Sequence, residues 1–297
     1  LPPEAQQGFT NNTPVLEQWA EASANMCPTL SNRTLASSTR HPWLVKQILY
    51  ARYGYLFNAQ LKRRYRLGGN GNCPLCHTPD SGGHILGGCT HPKMKGAYIN
   101  RHNWAVQRVA KCISKGTYGN GFMVMDAGPL ADLPHYASAQ RPPAWLAAER
   151  TSSPLITRLR PDILFIPNLP AHETHREGYR PPLNKARLPI YILEIGYSSD
   201  VRHLDKREEK SQQHQELKRL LEAAGWTVHY STNECLALGV TGAIPCNLTK
   251  LLTSQLGVTH TAARVCGERL HTHAVNSAGG IIKMRRVTEQ ELKPRGG

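Results

Sequence analysis

The run Cys73-Pro-Leu-Cys76, followed by His84 and Cys89, constrains this chain more than any other feature. Four soft donors fall within seventeen residues, so the backbone between them must double back if they are to meet. Zinc takes four thiolate and imidazole ligands, and a Cys-x2-Cys turn sets two sulfurs on one side of the ion. Gly82, Gly83, Gly87 and Gly88 surround His84 and permit the tight path that would bring it and Cys89 to the other side. The spacing is that of a compact CCHC zinc knuckle over 69–94, a module that commonly serves nucleic acids. The plainer reading is three unrelated thiols beside a histidine, but a chain with eight cysteines seldom groups three this way by chance. His77 and His91 compete with His84 for the fourth place.

Charge points the same way. The chain has 297 residues and a formal net charge of +15, which favours a polyanionic partner, either nucleic acid or an acidic membrane face. Between Glu21 and Asp126 the only acid is Asp80, while the same interval carries Lys62, Arg63, Arg64, Arg66, Lys93, Lys95, Arg101, Arg108, Lys111 and Lys115 among its cations. The metal-binding candidate sits in the middle of this basic half. The remaining cysteines are scattered and suggest no disulfide framework, as expected in a reducing compartment. No apolar run approaches the roughly 18–20 residues of a membrane span, and no signal peptide is evident. The chain opens on Leu1, which reads as a fragment of something longer.

Residues 1–40 read as a loose polar lead-in with one short helix around Val15–Ala24. Segment 41–68 has helical propensity and interleaves Trp43, Tyr50, Tyr53, Tyr55, Phe57 and Tyr65 with lysine and arginine. Cations grip phosphates and aromatic faces stack on bases; the same aromatics would serve equally as the core of a helical hairpin. A second helix is expected over Lys95–Ser114, with Ile99, Val106, Val109 and Ile113 at helical spacing and His102 on the same stripe. A short strand Phe122–Met125 and a Pro-rich loop follow. From there the pattern is strand Ile163–Ile166, a long polar connection Pro167–Leu188, strand Ile190–Ile195, helix Leu204–Ala224, strand Trp226–Tyr230 and helix Asn247–Leu256. The near-continuous apolar run Ile190–Ile195 suits a strand buried on both faces. Residues 258–297 read as a basic, peripheral tail.

A second constellation lies in these strands. Asp162 opens one and Glu194 closes another, and two carboxylates at adjacent strand ends can share a hard cation such as Mg²⁺. With a lysine beside them they form the logic of a PD-(D/E)xK nuclease, which activates water against a phosphodiester. The usual lysine position, two residues after the second acid, is Gly196 here. The following helix offers Lys210, which shares a stripe with His214, Leu217 and Leu221 that should face the sheet, with Lys206 one turn earlier as the alternative. An inward lysine near a strand end should pair with Glu194 and Asp162; otherwise it would snorkel to solvent.

The order of these features resembles the C-terminal region of site-specific non-LTR retrotransposon proteins of the restriction-like-endonuclease class. The resemblance rests on Cys-x2-Cys-x7-His-x4-Cys, Arg101-His102-Asn103, Arg160-Pro161-Asp162, Ile-Leu-Glu194-Ile-Gly and Lys210-x3-His214, and spans roughly 43–255. In that family the lysine is displaced to the next helix, which accounts for Gly196; His214 stands where the family often has Tyr. The resemblance implies an α/β restriction-endonuclease-like core over 95–257, with a mixed central sheet flanked by helices and preceded by the basic helical segment and the zinc knuckle. It implies Asp162 and Glu194 as ligands of Mg²⁺ or Mn²⁺, Lys210 as the third catalytic group, and structural zinc on Cys73, Cys76, His84 and Cys89. Lys62, Arg63, Arg64, Arg66, Arg101, His102 and Asn103 would contact nucleic acid, although Arg101–Asn103 would equally brace the knuckle and His102 would equally be a packing residue. The implied activity is nicking of nuclear DNA to prime reverse transcription, with target DNA, element RNA and the element's polymerase half as partners; no paired-Asp polymerase motif is present. The alternative is a catalytically inactive zinc-knuckle protein that binds DNA or RNA.

Overall fold

The computed structural model describes residues 22–35, 40–127, 141–148, 152–174, 179–180 and 183–292. The expected Val15–Ala24 helix and part of the Pro-rich loop lie largely outside them.

A single helical turn, Pro28–Ser31, and two longer helices, α1 (Pro42–Arg52) and α2 (Ala59–Arg64), precede the cysteine cluster. Helical propensity runs through the whole segment, but Gly54 adopts φ 75° and turns the chain between α1 and α2. Helix α3 (Pro92–Ile113) follows the cluster and leads to β1 (Gly121–Met125), β2 (Ile163–Pro170) and β3 (Pro189–Ser198). Then come α4 (His203–Gln213), α5 (Gln215–Ala223), β4 (Thr227–His229), β5 (Cys235–Gly239), α6 (Asn247–Lys250) and α7 (His260–Glu291). The five strands form one mixed sheet. β1, β2 and β3 pair antiparallel in sequence order, whereas β4 runs parallel to the first part of β3 and β5 to its second part. Strand β5 has no counterpart among the expected elements, because Cys-Leu-Ala-Leu-Gly is too short to show a period.

Helices cover both faces of the sheet. Leu193 and Ile195 of β3 pack with Val106, Val109 and Ile113 of α3 and with Cys266 and Leu270 of α7. The alternate residues Ile190 and Ile192 pack with Leu217 and Leu221 of α5. β3 is thus apolar along both faces because both are buried. Ile99, grouped with the apolar stripe of α3 on spacing alone, is 48% exposed.

Residues 260–291 are not a peripheral tail. Residues 260–291 form the longest helix among those described, and its inner face carries Ala263, Cys266, Leu270, Ala274, Val275, Ala278, Ile281 and Ile282 into the core. Its glycines, which argue against a helix by propensity, allow close approach: a Cβ on Gly267 would lie 2.7 Å from Leu30 Cδ1, and one on Gly279 2.5 Å from Leu44 Cδ1 of α1. The second half of α7 shares a core with Cys73, Leu75, Ile85, Leu86 and Cys89, so the cysteine cluster packs against the body of the protein. Among the described residues, no helix is long and apolar enough to cross a membrane.

Candidate metal centre and carboxylate–lysine site

Cys73, Cys76, His84 and Cys89 converge, with one donor atom of each within 4.8 Å of the others. Tetrahedral zinc with Zn–S bonds of about 2.3 Å requires sulfurs about 3.8 Å apart. The Cys76–Cys89 and Cys73–Cys89 sulfurs are 3.7 and 3.9 Å apart, and His84 Nε2 lies 3.3 Å from Cys76 Sγ. The Cys3His site therefore fits structural zinc. The competition among histidines is resolved for His84; His77 sits in the turn with φ 61°, and neither it nor His91 joins the group. A five-residue π-helix, His84–Gly88, delivers the imidazole. Burial works against the Cys76 thiolate, but the Thr78 hydroxyl and the backbone N–H groups of Thr78 and Thr90 bring it down to about 5. Burial and the neighbouring Cys73 sulfur push Cys89 up to about 12. One ligand is ready and another needs the cation to ionise, so metal loading should release protons.

The outer partners come from far along the chain. Arg285 of α7 donates through Nη1 to Cys73 Sγ (3.2 Å) and through Nη2 to Asp80 Oδ2 (2.8 Å). Asp80, fully buried, also accepts from the Ala59 backbone N–H at the start of α2 (2.7 Å). The lone acid of the basic half thus ties together α2, the cluster and α7. Sequence reasoning missed both residues; an isolated acid in so basic a stretch was the available signal.

The second site lies where the β2–β3 ladder ends, at Ile163 opposite Leu193. There the Asp162 backbone N–H donates to Glu194 Oε1 (3.0 Å), and the Ile195 N–H donates to Asp162 Oδ2 (2.7 Å). Lys210 of α4 reaches in, with Nζ 2.8 Å from Glu194 Oε2 and 3.5 Å from Asp162 Oδ2. His102 Nε2 lies 3.0 Å from Asp162 Oδ1, and His214 Nε2 3.2 Å from Glu194 Oε1. Every carboxylate oxygen therefore has a cationic or N–H group beside it. Burial opposes the charge on Asp162, but His102, Lys210 and the Ile195 N–H hold its carboxyl below the usual range. Burial likewise opposes the Lys210 charge, and the two carboxylates hold its ammonium above the usual range.

Gly196 makes room for this lysine. A Cβ there would lie 3.2 Å from Lys206 Cε and 3.4 Å from Lys210 Cε. Lys206 itself turns to Glu209, 2.5 Å away, so Lys210 is the lysine that meets the carboxylates. The expected single helix 204–224 is broken at His214, which has φ −121° and ψ 29°. Tyr230 makes the break: its hydroxyl accepts from the His214 N–H (3.0 Å) and donates to the Lys210 carbonyl. The hydroxyl is thereby inserted into what would be a helical i→i−4 bond, a recognised cause of kinks. The residues on either side of the kink are the two that face Glu194.

The residues expected to contact nucleic acid divide. Lys62, Arg63, Arg64 and Arg66 are exposed, on α2 and the turn after it. Around them Tyr53, Phe57 and Tyr65 are each more than half exposed, so these aromatics are surface groups and not a hairpin core. Arg101 is corrected: it is 3% exposed, and its guanidinium lies over Tyr197 (4.4 Å) and Tyr98 (5.7 Å), beside the π-helix. A buried guanidinium stacked on aromatic rings braces the cluster against the sheet and presents no surface to a phosphate. His102 belongs to the carboxylate site, and Asn103 is half-buried on α3.

No protein-family model matches this chain, and no curated protein matches it.

Proposed function

We propose that this chain is a metal-dependent DNA endonuclease that nicks a genomic target and supplies the 3′-hydroxyl for target-primed reverse transcription of a non-LTR retrotransposon. The observation that carries this reading is the meeting of Asp162, just before β2, with Glu194 of β3 and Lys210 of α4. A buried lysine held by two carboxylates is costly to assemble for stability alone, and titratable groups gathered this way are commonly functional.

Mg²⁺ is held by one or two carboxylates with water and substrate phosphate completing its shell. Asp162 and Glu194 provide two such hard donors, so the residues fit Mg²⁺ or Mn²⁺. The cation, when bound, would offset charge developing on the phosphodiester. Lys210 would position the attacking water or the scissile phosphate through its ammonium, while His102 and the Ile195 N–H fix the Asp162 carboxylate. The exposed cations and aromatics of α1 and α2 would hold DNA or element RNA by phosphate contact and base stacking. A nuclear location and a separate polymerase half of the element complete the proposal.

Supercoiled plasmid with Mg²⁺ or Mn²⁺ tests it. Wild type should nick, while Asp162→Ala and Lys210→Ala should lose nicking and keep DNA binding. Equal cleavage by all three would move the site elsewhere. DNA binding with no cleavage on any substrate, including the element's own target and polymerase half, would leave the non-catalytic binding protein.

The Tyr230 insertion yields a finer expectation. Tyr230→Phe should let α4 and α5 close on each other and carry Lys210 off its position, and an ångström of misplacement can cost about 100-fold in rate. Stability should fall by only about 1 kcal/mol, the worth of an ordinary hydrogen bond. Single-turnover nicking beside a denaturant titration separates the two effects; wild-type nicking in this variant would make the kink incidental.

A further inference from the structure

A second basic surface lies away from the carboxylate site. Arg108 and Lys111 of α3, Lys115 in the turn just after it and Arg269 of α7 line a small groove, about 160 Å³, between the two helices, with Ala262, Val265, Cys112 and Cys266 as its apolar lining. No acid contributes to it. Arg108, Lys115 and Arg269 form no ion pair among the described residues; Glu268, the acid next to Arg269, is taken by Arg33 (2.6 Å) and Arg264 (2.5 Å). The Arg108 guanidinium rests on the Trp104 ring at 5.1 Å, and Trp104 stacks in turn on His273 at 3.8 Å, so this cation is held in place by rings instead of by a carboxylate. Its Nε is buried without a hydrogen-bond partner.

At 100° per residue, Arg108 and Lys111 stand roughly 180–240° around α3 from His102. The groove therefore faces away from the groups that meet at Asp162. It is also built from the two helices, not from α2, where the other exposed cations lie.

We propose that this groove grips the phosphate backbone of duplex DNA, as a contact separate from both the carboxylate–lysine site and the basic aromatic surface of α1 and α2. The inference rests on the nucleic-acid part of the reading above, but not on cleavage. The cations of the groove run from Arg108 near the end of α3 to Lys115 in the turn beyond it, and across to Arg269 of α7. A DNA duplex carries one phosphate charge per about 1.7 Å of its axis, a density that suits several cations gathered with no acid among them. Release of condensed counterions is the driving force, so the contact must show in the salt dependence of binding.

The test is the slope of log K against log salt for a duplex oligonucleotide, with the full chain and with Lys115→Gln/Arg269→Gln, two exposed positions. The double variant should bind more weakly, and its slope should be shallower by about 1 for each cation removed. Lys115 in the wild type should also become protected from acylation when duplex is saturating. An unchanged slope, or a Lys115 equally reactive with and without bound DNA, overturns the groove and leaves the nucleic-acid reading standing. The acylation result holds even if the double variant misfolds. Absence of any wild-type binding to duplex overturns both.

Discussion

Chelation of zinc is expected to unfold 71–91 and to lower the midpoint of thermal unfolding of the whole chain by more than about 10 °C. Structural zinc sites hold apparent binding energies of about 10–16 kcal/mol, and in a domain of this size each kcal/mol moves the midpoint by roughly 2–4 °C. Even partial loss of that energy is large. The effect should reach beyond the cluster, because the cluster shares a core with α1 and the second half of α7 and is tied to them by Arg285 and Asp80. Metal content by atomic emission should read one zinc per chain and fall in Cys76→Ala and Cys89→Ala. Arg285→Ala should reproduce part of the loss with all four ligands intact, since it strands the buried Asp80 carboxylate, a defect worth about 3–5 kcal/mol. A midpoint unmoved after verified metal removal would mean that packing alone holds the cluster.

Glu194→Ala should be the most damaging single change in the sheet, at about 3–5 kcal/mol. It removes the closest partner of the Lys210 ammonium (2.8 Å) and the acceptor of the Asp162 N–H (3.0 Å), leaving both groups in a nearly dry site. Urea unfolding measures the loss. Adding Lys210→Met should return much of it, because the cost lies in the stranded charge and not in the missing pair. Additive losses in the double variant would contradict that account. The pH dependence has a definite sign. Asp162 has a depressed carboxyl pKa, so its contribution is full above the unfolded value of about 3.9 and is lost as pH falls through the lower folded value. Lys210 has a raised pKa, so its contribution is full below about 10.4 and is lost as pH rises through the higher folded value. Between those limits the Asp162–Lys210 contribution should be flat.

Features whose chemistry repeats locally were legible in the amino-acid order. Cys-x2-Cys-x7-His-x4-Cys marked the candidate metal centre, whose four donors do converge, because donors so close in sequence have few ways to meet except around one ion. The apolar run before Glu194 marked a strand buried on both faces. The stripe Lys210, His214, Leu217 and Leu221 marked the inward side of α4 and α5, and those side chains do turn inward. In each case the signal lies within a few turns of backbone.

Tertiary structure alone decided what depends on partners distant in sequence. The tail was misread because Gly267, Gly279 and Gly280 lower helix propensity by about 1 kcal/mol each, whereas two of them pack where Leu30 and Leu44 leave no room for a Cβ. Its spacing of Ala263, Cys266, Leu270, Ala274 and Ala278 was helical all along, but composition masked it. The exposed aromatics of α1 and α2 could not be told from a core without knowing which face was already covered. Arg101 reads as a phosphate contact until Tyr98 and Tyr197 close over it. Tyr230, beyond α5 and β4 and 16 residues after His214, enters the α4–α5 break through a hydroxyl that no periodicity records. Asp80 needed Arg285, 205 residues later, before its burial made physical sense. A buried charge is acceptable only beside its counter-charge, and only the fold says where that counter-charge is.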